Sequence, residues 1–165
     1  MIFIHNSDFF RNKKMHLKKL SLIYIVFAML FITGCVGTSP MASTSSDHKA
    51  KQFIANKNKS NIYIYRKEVS PFTSAVPVFV DSTLVGKTLA NTYIKITVKP
   101  GTHDILSFEK TPKSVRLNTK PSRNYYIQQN SSATFRSYRT SLQIVSSNKA
   151  KKAIQKCKLI QHVQL

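Results

Sequence analysis

The sequence is poor in the residues from which most catalytic and metal sites are built. Its 165 residues include 6 Asp and Glu, 5 His, 2 Cys and 4 Gly. Zinc sites favour several His or Cys ligands at short spacing, and a nucleophile triad needs a base oriented by an acid. His103-Asp104 is an adjacent pair of that kind, but adjacent side chains on a strand point to opposite faces. We therefore expect no catalytic residue, no metal site and no bound cofactor.

Acid is scarce beside a large excess of base. The 26 Lys and Arg residues give a formal net charge of +20, and 42% of the residues are hydrophobic. That apolar content excludes a disordered polycation, and the length suits one modest domain with a core. The charge favours an anionic partner, either nucleic acid or an anionic surface.

The long run of apolar residues at positions 22–32 is too short to span a membrane comfortably. Its 11 residues would extend about 16 Å as a helix, roughly half of a hydrocarbon core. A basic segment precedes the run and small residues follow it, which is typical of a secretory signal peptide. The basic residues are Lys13, Lys14, Lys18 and Lys19, and the run ends in the box Ile32-Thr33-Gly34-Cys35.

The box Ile32-Thr33-Gly34-Cys35 resembles a bacterial lipobox. The resemblance implies that the Cys35 thiol receives diacylglycerol, that the chain is cut before Cys35, and that the new amino terminus is acylated. Two or three acyl chains anchor a protein stably, since each buried methylene contributes about 0.8 kcal/mol. Val36 stands where an inner-membrane retention signal would place Asp, which favours the outer membrane, facing the periplasm. The alternative is an ordinary secretory peptide or a short membrane anchor with an incidental cysteine, and Met15 is an alternative start.

Export changes what the positive charge implies. Loss of residues 1–34 would remove five basic residues and one acid, and would leave a charge of +16 on the mature chain. Most nucleic acid is out of reach in the envelope, so we expect no nucleic-acid partner in spite of the interleaved tyrosines and basic residues. The expected partners are the membrane itself and an anionic envelope component: phospholipid, lipopolysaccharide or an acidic envelope protein.

The mature chain divides into a polar segment and a strand-rich domain. Residues 35–59 lack a helical or strand period, which predicts a lipidated cysteine followed by a flexible tether. In residues 60–165, apolar and β-branched residues alternate in short runs between turn residues. In residues 61–66 the alternation places Ile62 and Ile64 on one face and Tyr63 and Tyr65 on the other. In residues 92–99 it points Ile94, Ile96 and Val98 inward and Tyr93 and Lys95 outward. These runs predict a mainly β fold, an antiparallel sandwich of seven or eight strands with a short C-terminal helix. The predicted strands cover residues 61–66, 76–81, 84–86, 92–99, 103–109, 114–119, 124–130 and 135–145.

The last twenty residues change from strand to helix period. From Ser147 onward, lysines flank an apolar stripe, which predicts an amphipathic helix. The helix either packs on the sheet or lies on anionic lipid; the stripe is poor in large residues, which favours packing. Cys157, the sole thiol once Cys35 is lipidated, is expected to be buried. The stripe consists of Ala150, Ala153, Ile154, Cys157 and Ile160.

Several segments together resemble a family of bacterial lipoproteins termed domain of unknown function 2846. They are Ile62-Tyr63-Ile64-Tyr65-Arg66, Val78-Phe79-Val80-Asp81, Leu84-Val85-Gly86, Tyr93, Val98-Lys99-Pro100-Gly101-Thr102-His103 with Ile105, and Tyr125-Tyr126-Ile127. In this order they cover residues 60–145. The resemblance implies a prealbumin-like or PEGA-like β-sandwich and brings no established activity. Ser82 stands where the family tends to have glycine after the turn aspartate.

Two functions remain open from the sequence. The first is a non-catalytic envelope lipoprotein that presents a basic β-sandwich to an anionic partner, since lysines near an anionic surface add about 1 kcal/mol each. Its candidate contacts are Lys49, Lys51, Lys57 and Lys59 near the anchor, and Lys149, Lys152 and Lys156 on the C-terminal helix. The second is a periplasmic carrier of a small apolar ligand, with a cavity lined by Tyr63, Tyr65, Tyr93 and Tyr125.

Overall fold

The computed structural model describes residues 40–67, 74–108, 111–134, 137–162 and 165. The predicted signal peptide and lipobox, Cys35 included, lie outside these residues. Within them, no helix is long and apolar enough to cross a membrane. The elements of this part of the chain are α1 (Thr44–Ala50), β1 (Ser60–Arg66), β2 (Val76–Val80), β3 (Thr83–Thr88), β4 (Thr92–Val98), β5 (Gly101–Phe108), β6 (Pro112–Thr119), β7 (Arg123–Thr134), β8 (Ser137–Ile144), α2 (Ser147–Ile154) and β9 (Lys158–Leu159).

The strands form two sheets, which confirms the predicted mainly β sandwich. One sheet has five strands in the order β8-β7-β1-β4-β9, and the other has four in the order β3-β2-β5-β6. Most neighbours are antiparallel, but β1 pairs in parallel with β7, and β4 pairs in parallel with β9. The described chain therefore has nine strands where seven or eight were predicted, since the short β9 follows the C-terminal helix.

The main core lies between the sheets and is built by alternate residues of facing strands. Ile62 and Ile64 of β1 are fully buried there, as the alternation of β1 predicted. Burying a side chain of this size contributes about 1.5 to 3 kcal/mol. The other strands contribute Val78, Val80, Val85, Ile94, Ile96, Val98, Ile105, Leu117 and Ile127.

A second core covers the outer face of the five-stranded sheet. Tyr63 and Tyr65 of β1 point to this face, and neither is more than 1% exposed. The Tyr63 ring centroid lies 5.3 Å from those of Phe53 and Tyr126. Tyr93 was predicted to point outward from the main core, and on that outer face it is fully buried. Alternation gives the face of a strand correctly, yet it does not reveal that the two helices cover that face.

Part of the segment predicted as a flexible tether, residues 35–59, forms a helix and contacts the domain. Ser43 caps α1, its side chain accepting a hydrogen bond from the Ser46 N–H at 3.2 Å, and Ala50 at the end of α1 is buried. Before α1, the Ala42 N–H donates to the Leu159 carbonyl at 2.9 Å. The segment looked like a linker because small polar residues give it no apolar period; its order comes from caps and long-range contacts.

The C-terminal helix is shorter than its apolar stripe predicted. It runs from Ser147 to Ile154, and Ser146 is its N-cap residue. The next turn tightens, since the Cys157 N–H donates to the Ile154 carbonyl three residues earlier at 2.9 Å. The chain then becomes strand β9, and Ile160 packs into the main core rather than beside the helix. Pairing with β4 therefore overrides the helical period after residue 154.

Candidate functional site: a lysine-rich face with a basic cleft

Two of the three carboxylates in the described residues lie on the four-stranded sheet, and both are paired. Asp81 Oδ2 lies 2.6 Å from His103 Nδ1, and Asp81 Oδ1 accepts the Asp104 N–H at 3.0 Å. Arg116 donates two hydrogen bonds to Asp104, at 2.8 and 3.1 Å, and these lower the pKa of that carboxyl group. These contacts hold a turn and two strands together, so this sheet presents little unpaired acid.

The third described carboxylate, Asp47, fixes α1 to the five-stranded sheet. Its Oδ1 accepts hydrogen bonds from the Tyr93 hydroxyl at 2.8 Å and from the Leu159 N–H at 3.0 Å. Its Oδ2 accepts one from Lys51 Nζ at 2.7 Å. Burial alone would raise the pKa of Asp47, but these hydrogen bonds outweigh burial and the pKa is lowered. Asp47 is therefore held as a structural anion.

Lysines dominate the face of the molecule that the helices cover. We call them the basic layer: Lys49, Lys51, Lys67, Lys95, Lys149, Lys151, Lys152 and Lys156. Three of them lie over aromatic rings of the second core: Lys51 over Tyr93, Lys95 over Tyr63 and Lys151 over Phe53, at 5.3 to 5.9 Å from the ring centroids.

Charge repulsion is already present in the basic layer. Burial lowers the pKa of Lys95, and the neighbouring charge of Lys49 lowers it further. Asp47 is the one described carboxylate that contacts these lysines, and it is engaged by Lys51. An anion that approached this face would relieve like-charge repulsion, which gives the face a preference for anionic partners.

Part of the basic layer lines an open cleft of about 660 Å³ between α2, the end of β1 and the middle of β7. We call it the basic cleft and define it by Tyr65, Lys67, Gln128, Lys149, Lys152 and Lys156. Three of the lysines recur at helical spacing along one side of α2 and its C-terminal turn, so they face the same recess. Lys67 reaches it from the end of β1.

The floor of the basic cleft is neutral and polar. The Tyr65 hydroxyl donates to Gln128 Oε1 at 3.1 Å, and Gln128 Nε2 donates to Asn130 Oδ1 at 2.6 Å. Tyr65 and Gln128 are register partners in the parallel pair of β1 and β7. The sheet therefore brings together two polar groups that lie 63 residues apart in the sequence.

The structure gathers some of the predicted contact residues and separates others. Lys149, Lys152 and Lys156 share the basic cleft. Lys49 and Lys51 lie at α1 in the same layer, although Lys51 is already paired with Asp47. Lys57 and Lys59 lie before the start of β1, and β1 separates them from the cleft by about 17 Å at 3.3 Å per residue.

The contact residues predicted from the sequence omitted Lys67, Lys95 and Lys151 of the basic layer. Continuing the alternation of β1 through Tyr63 and Tyr65 would have placed Lys67 on the same face. Lys95 was correctly predicted to point outward, but the helices that make this face a lysine-rich surface were not part of that prediction.

The four tyrosines of the alternative carrier do not share a cavity. Tyr63 and Tyr93 are buried among side chains of the second core, and Tyr65 forms the floor of the open basic cleft. Tyr125 packs against the main core on the opposite face, and its hydroxyl accepts the Lys120 N–H at 2.8 Å. A second open cleft, of about 600 Å³, includes Lys113 and Arg139 and is lined mainly by polar side chains. Among the described residues, no three His, Cys, Asp or Glu side chains lie close enough together to hold a metal ion.

These features define a small β-sandwich domain with one lysine-rich face outside a helical layer. The chain belongs to the family described as protein of unknown function (DUF2846), which matches residues 56–141. A relative from Haemophilus influenzae (strain ATCC 51907 / DSM 11121 / KW20 / Rd), named "Uncharacterized protein", is 29% identical over 134 residues, covering 80% of this chain and 79% of its own. No solved structure matches the chain. The family match ends before α2, so the helical wall of the basic cleft lies beyond it.

Proposed function

We propose that the protein is a non-catalytic envelope lipoprotein, anchored through acylated Cys35, that holds its basic layer against anionic membrane lipid. The observation that supports it best is the charge distribution. Eight lysines share one face with a single described carboxylate, Asp47. Each lysine close to an anionic surface contributes about 1 kcal/mol. Together the lysines would orient an anchored domain with the helical layer towards the membrane.

The short distance between the proposed anchor and the folded domain supports this orientation. The Gln161 N–H donates to the Pro40 carbonyl at 2.7 Å, so the fold begins no later than Pro40. Pro40 is five residue steps after Cys35, and five steps span at most about 17 Å when the chain is fully extended. The domain would thus stay close to the lipid surface, where charge attraction acts within about 8 Å at physiological salt. Because position 36 is Val and not the Asp of an inner-membrane retention signal, the proposed location is the periplasmic side of the outer membrane.

Lipidation is tested by expressing the full chain in a bacterium with isotopically labelled palmitate. Wild-type protein is expected to incorporate the label, to begin at Cys35 and to sediment with membranes. Cys35→Ala is the matched control and should incorporate none. A mature wild-type chain without lipid would contradict the anchoring part of the proposal.

The orientation is tested on lipidated protein reconstituted in vesicles. Lysine acetylation, read by mass spectrometry, is compared between phosphatidylcholine vesicles and vesicles that also contain phosphatidylglycerol. We expect Lys149 and Lys152 to be protected in the anionic vesicles at low salt and exposed again at high salt. Lys113, on the other sheet, is the internal control and should react equally in both. Equal acetylation of the basic layer in both vesicles would refute a lipid contact, and capture of an acidic protein by crosslinking in cells would then identify the other class of partner.

A further inference from the structure

Three lysines of the basic layer are engaged by other side chains, whereas the lysines of the basic cleft form no ion pair with any described residue. Lys51 is paired with Asp47, and Lys95 and Lys151 lie over aromatic rings. Lys67, Lys149, Lys152 and Lys156 are exposed, and none of them forms an ion pair with a described residue. Four ammonium groups thus surround a recess whose described lining contains no carboxylate.

The groups of the cleft favour phosphate over other anions. Lysine binds phosphate as a compact point charge, whereas arginine adds a planar pair of hydrogen bonds to carboxylate or phosphate alike. The described lining contains lysine and no arginine. A phosphate monoester carries about −1.5 to −2 charges at neutral pH, so one group can compensate several ammonium ions.

The floor and the size of the cleft indicate what else the ligand carries. The Gln128 amide has a second N–H that can donate to a ligand oxygen, since its first N–H donates to Asn130 and its carbonyl accepts the Tyr65 hydroxyl. Tyr65 is only 1% exposed, so its ring presents no surface on which a nucleobase could stack. A volume of about 660 Å³ exceeds that of one phosphate and leaves room for a polyol or sugar.

We propose that the basic cleft is a binding site for a phosphate group carried by a polyol or sugar, with the lysines contacting the phosphate and with Gln128, held in place by the Tyr65 hydroxyl, donating to a neighbouring oxygen. This site deepens the proposed function and rests on it, because both take the basic layer as the contact surface. The same chemistry is found in the head group of a membrane lipid and in a free phosphate ester. The recognition step is the same for both.

The test uses full-length lipidated protein in neutral detergent, titrated at constant ionic strength and followed by NMR of lysine-labelled protein. The probes are glycerol 3-phosphate, short-chain phosphatidic acid and, as the carboxylate control, acetate. Both phosphate probes are expected to shift the cleft lysines with saturation, and acetate is not. Saturation by glycerol 3-phosphate alone would assign the site to free phosphate esters and overturn the lipid source. Equal binding of acetate would overturn the phosphate chemistry.

Matched double variants separate a built site from diffuse charge. Lys149→Gln/Lys152→Gln removes two charges from the basic cleft, and Lys113→Gln/Arg139→Gln removes two from the other open cleft. All four residues are exposed, so the fold should persist, as thermal melting would verify. We expect the first variant to bind glycerol 3-phosphate about tenfold more weakly, as for loss of a charged hydrogen bond, and the second to bind it almost as the wild type does. Equal weakening in both variants would overturn the proposal.

Tyr65→Phe tests the floor without changing the charge. It should weaken glycerol 3-phosphate binding while leaving the salt dependence of binding unchanged, because no ammonium group is lost. Unchanged affinity would remove Tyr65 from the proposed site. If the lysines were protected on anionic vesicles in a salt-sensitive way but phosphate did not saturate the cleft, this site would be refuted and the proposed function would stand. If phosphate saturated the cleft but the vesicles gave no protection, only the membrane contact would be refuted.

Discussion

The Tyr93 hydroxyl donates a hydrogen bond of 2.8 Å to Oδ1 of Asp47, across 46 residues of sequence. Tyr93 belongs to β4 and Asp47 to α1, so the bond ties the N-terminal helix to the five-stranded sheet. The same carboxylate also receives Lys51 and the backbone of Leu159. One acidic side chain therefore joins α1, β4 and β9, and it adds to the backbone contacts that hold the N-terminal segment to the fold.

Replacing Asp47 with Ala should destabilise the protein at neutral pH by about 2 to 3 kcal/mol, because hydrogen bonds to a charged group are lost and their buried donors remain. Asp47 is only 21% exposed. The free energy of unfolding is measured by urea denaturation. Asp104→Ala, which removes an exposed ion pair with Arg116, is the control and should leave the urea midpoint nearly unchanged.

The effect of Asp47 should depend on pH in one direction. Its pKa is lower in the folded state than the ordinary value of 3.8, so the native state stabilises the charged form. The contribution is fully present above the ordinary value and is lost as the pH falls through the lower folded pKa. The difference in stability between wild type and Asp47→Ala should therefore become smaller in strong acid. A constant difference from neutral to acid pH would show that packing, and not the carboxylate charge, holds α1.

The sequence predicted the parts of the fold that depend on local patterns. Alternation in β1 placed Ile62 in the main core and Tyr63 on the other face, and the burial of Cys157 followed from its place in the apolar stripe. Helix α1 could not be predicted in this way, because its segment carries no apolar period. It is held by partners 46 and 112 residues away, namely Tyr93 and Leu159.

The candidate site was predicted only in part, because only some of its residues are brought together by a local sequence pattern. The helical spacing of Lys149, Lys152 and Lys156 is a local pattern, and it was visible. The floor of the cleft requires Tyr65 to lie beside Gln128, which depends on the parallel pairing of β1 and β7. Nothing local distinguishes a parallel from an antiparallel neighbour for such short strands, so the cleft itself could not be predicted.

The turn between β2 and β3 predicts opposite effects for two adjacent glycine substitutions. Asp81 and Ser82 have φ values of 49° and 68°, a conformation that glycine adopts at no steric cost. Ser82 is exposed, so Ser82→Gly should stabilise the protein by about 0.5 to 1 kcal/mol, since strain relief exceeds the added entropy of the unfolded chain. Thermal and urea denaturation measure the change.

Asp81→Gly is the matched control for this turn. It relieves the same strain but removes the side chain that contacts His103 at 2.6 Å and the Asp104 N–H at 3.0 Å. It should therefore lower stability. If Ser82→Gly lowered the stability, the positive φ at Ser82 would not be a source of backbone strain in this turn.

A buried polar network between the sheets predicts the effect of Gln129. Its Nε2 donates to Ser107 Oγ at 2.6 Å, and its Oε1 accepts the Thr88 hydroxyl. All three side chains are fully buried. Gln129→Leu should cost about 1 to 2 kcal/mol. The cost stays moderate because backbone carbonyls can still accept both hydroxyl groups: Pro77 lies 3.0 Å from Ser107 Oγ, and Val76 lies 3.3 Å from Thr88 Oγ1.

The control for the network is Gln143→Leu, the same change at an exposed position of β8. It should alter the free energy of unfolding by less than about 0.5 kcal/mol, as is usual for surface substitutions. Urea denaturation compares the two variants. Equal effects would mean that the buried amide adds nothing beyond the cost of a leucine in a strand.

The thiol of Cys157 should be inert in the folded protein. It is 1% exposed, and burial raises its pKa to about 11 although Lys51 and Lys67 oppose the shift. At pH 8 only about one molecule in a thousand would carry the reactive thiolate, even before access is considered. A disulfide reagent such as Ellman's reagent should therefore react slowly with the native protein and quickly after denaturation. The absorbance of the thiolate released by the reagent measures both rates.

Counting the thiols in the denatured protein connects this behaviour to the anchor. The sequence contains two cysteines, and acylation of the Cys35 sulfur would leave Cys157 alone to react. The mature wild-type protein should therefore release one equivalent of thiolate on denaturation, and Cys157→Ser should release none. Two equivalents from wild type would contradict the modification of Cys35. Rapid release from native wild type would instead contradict the burial of Cys157, so the two conclusions fail separately.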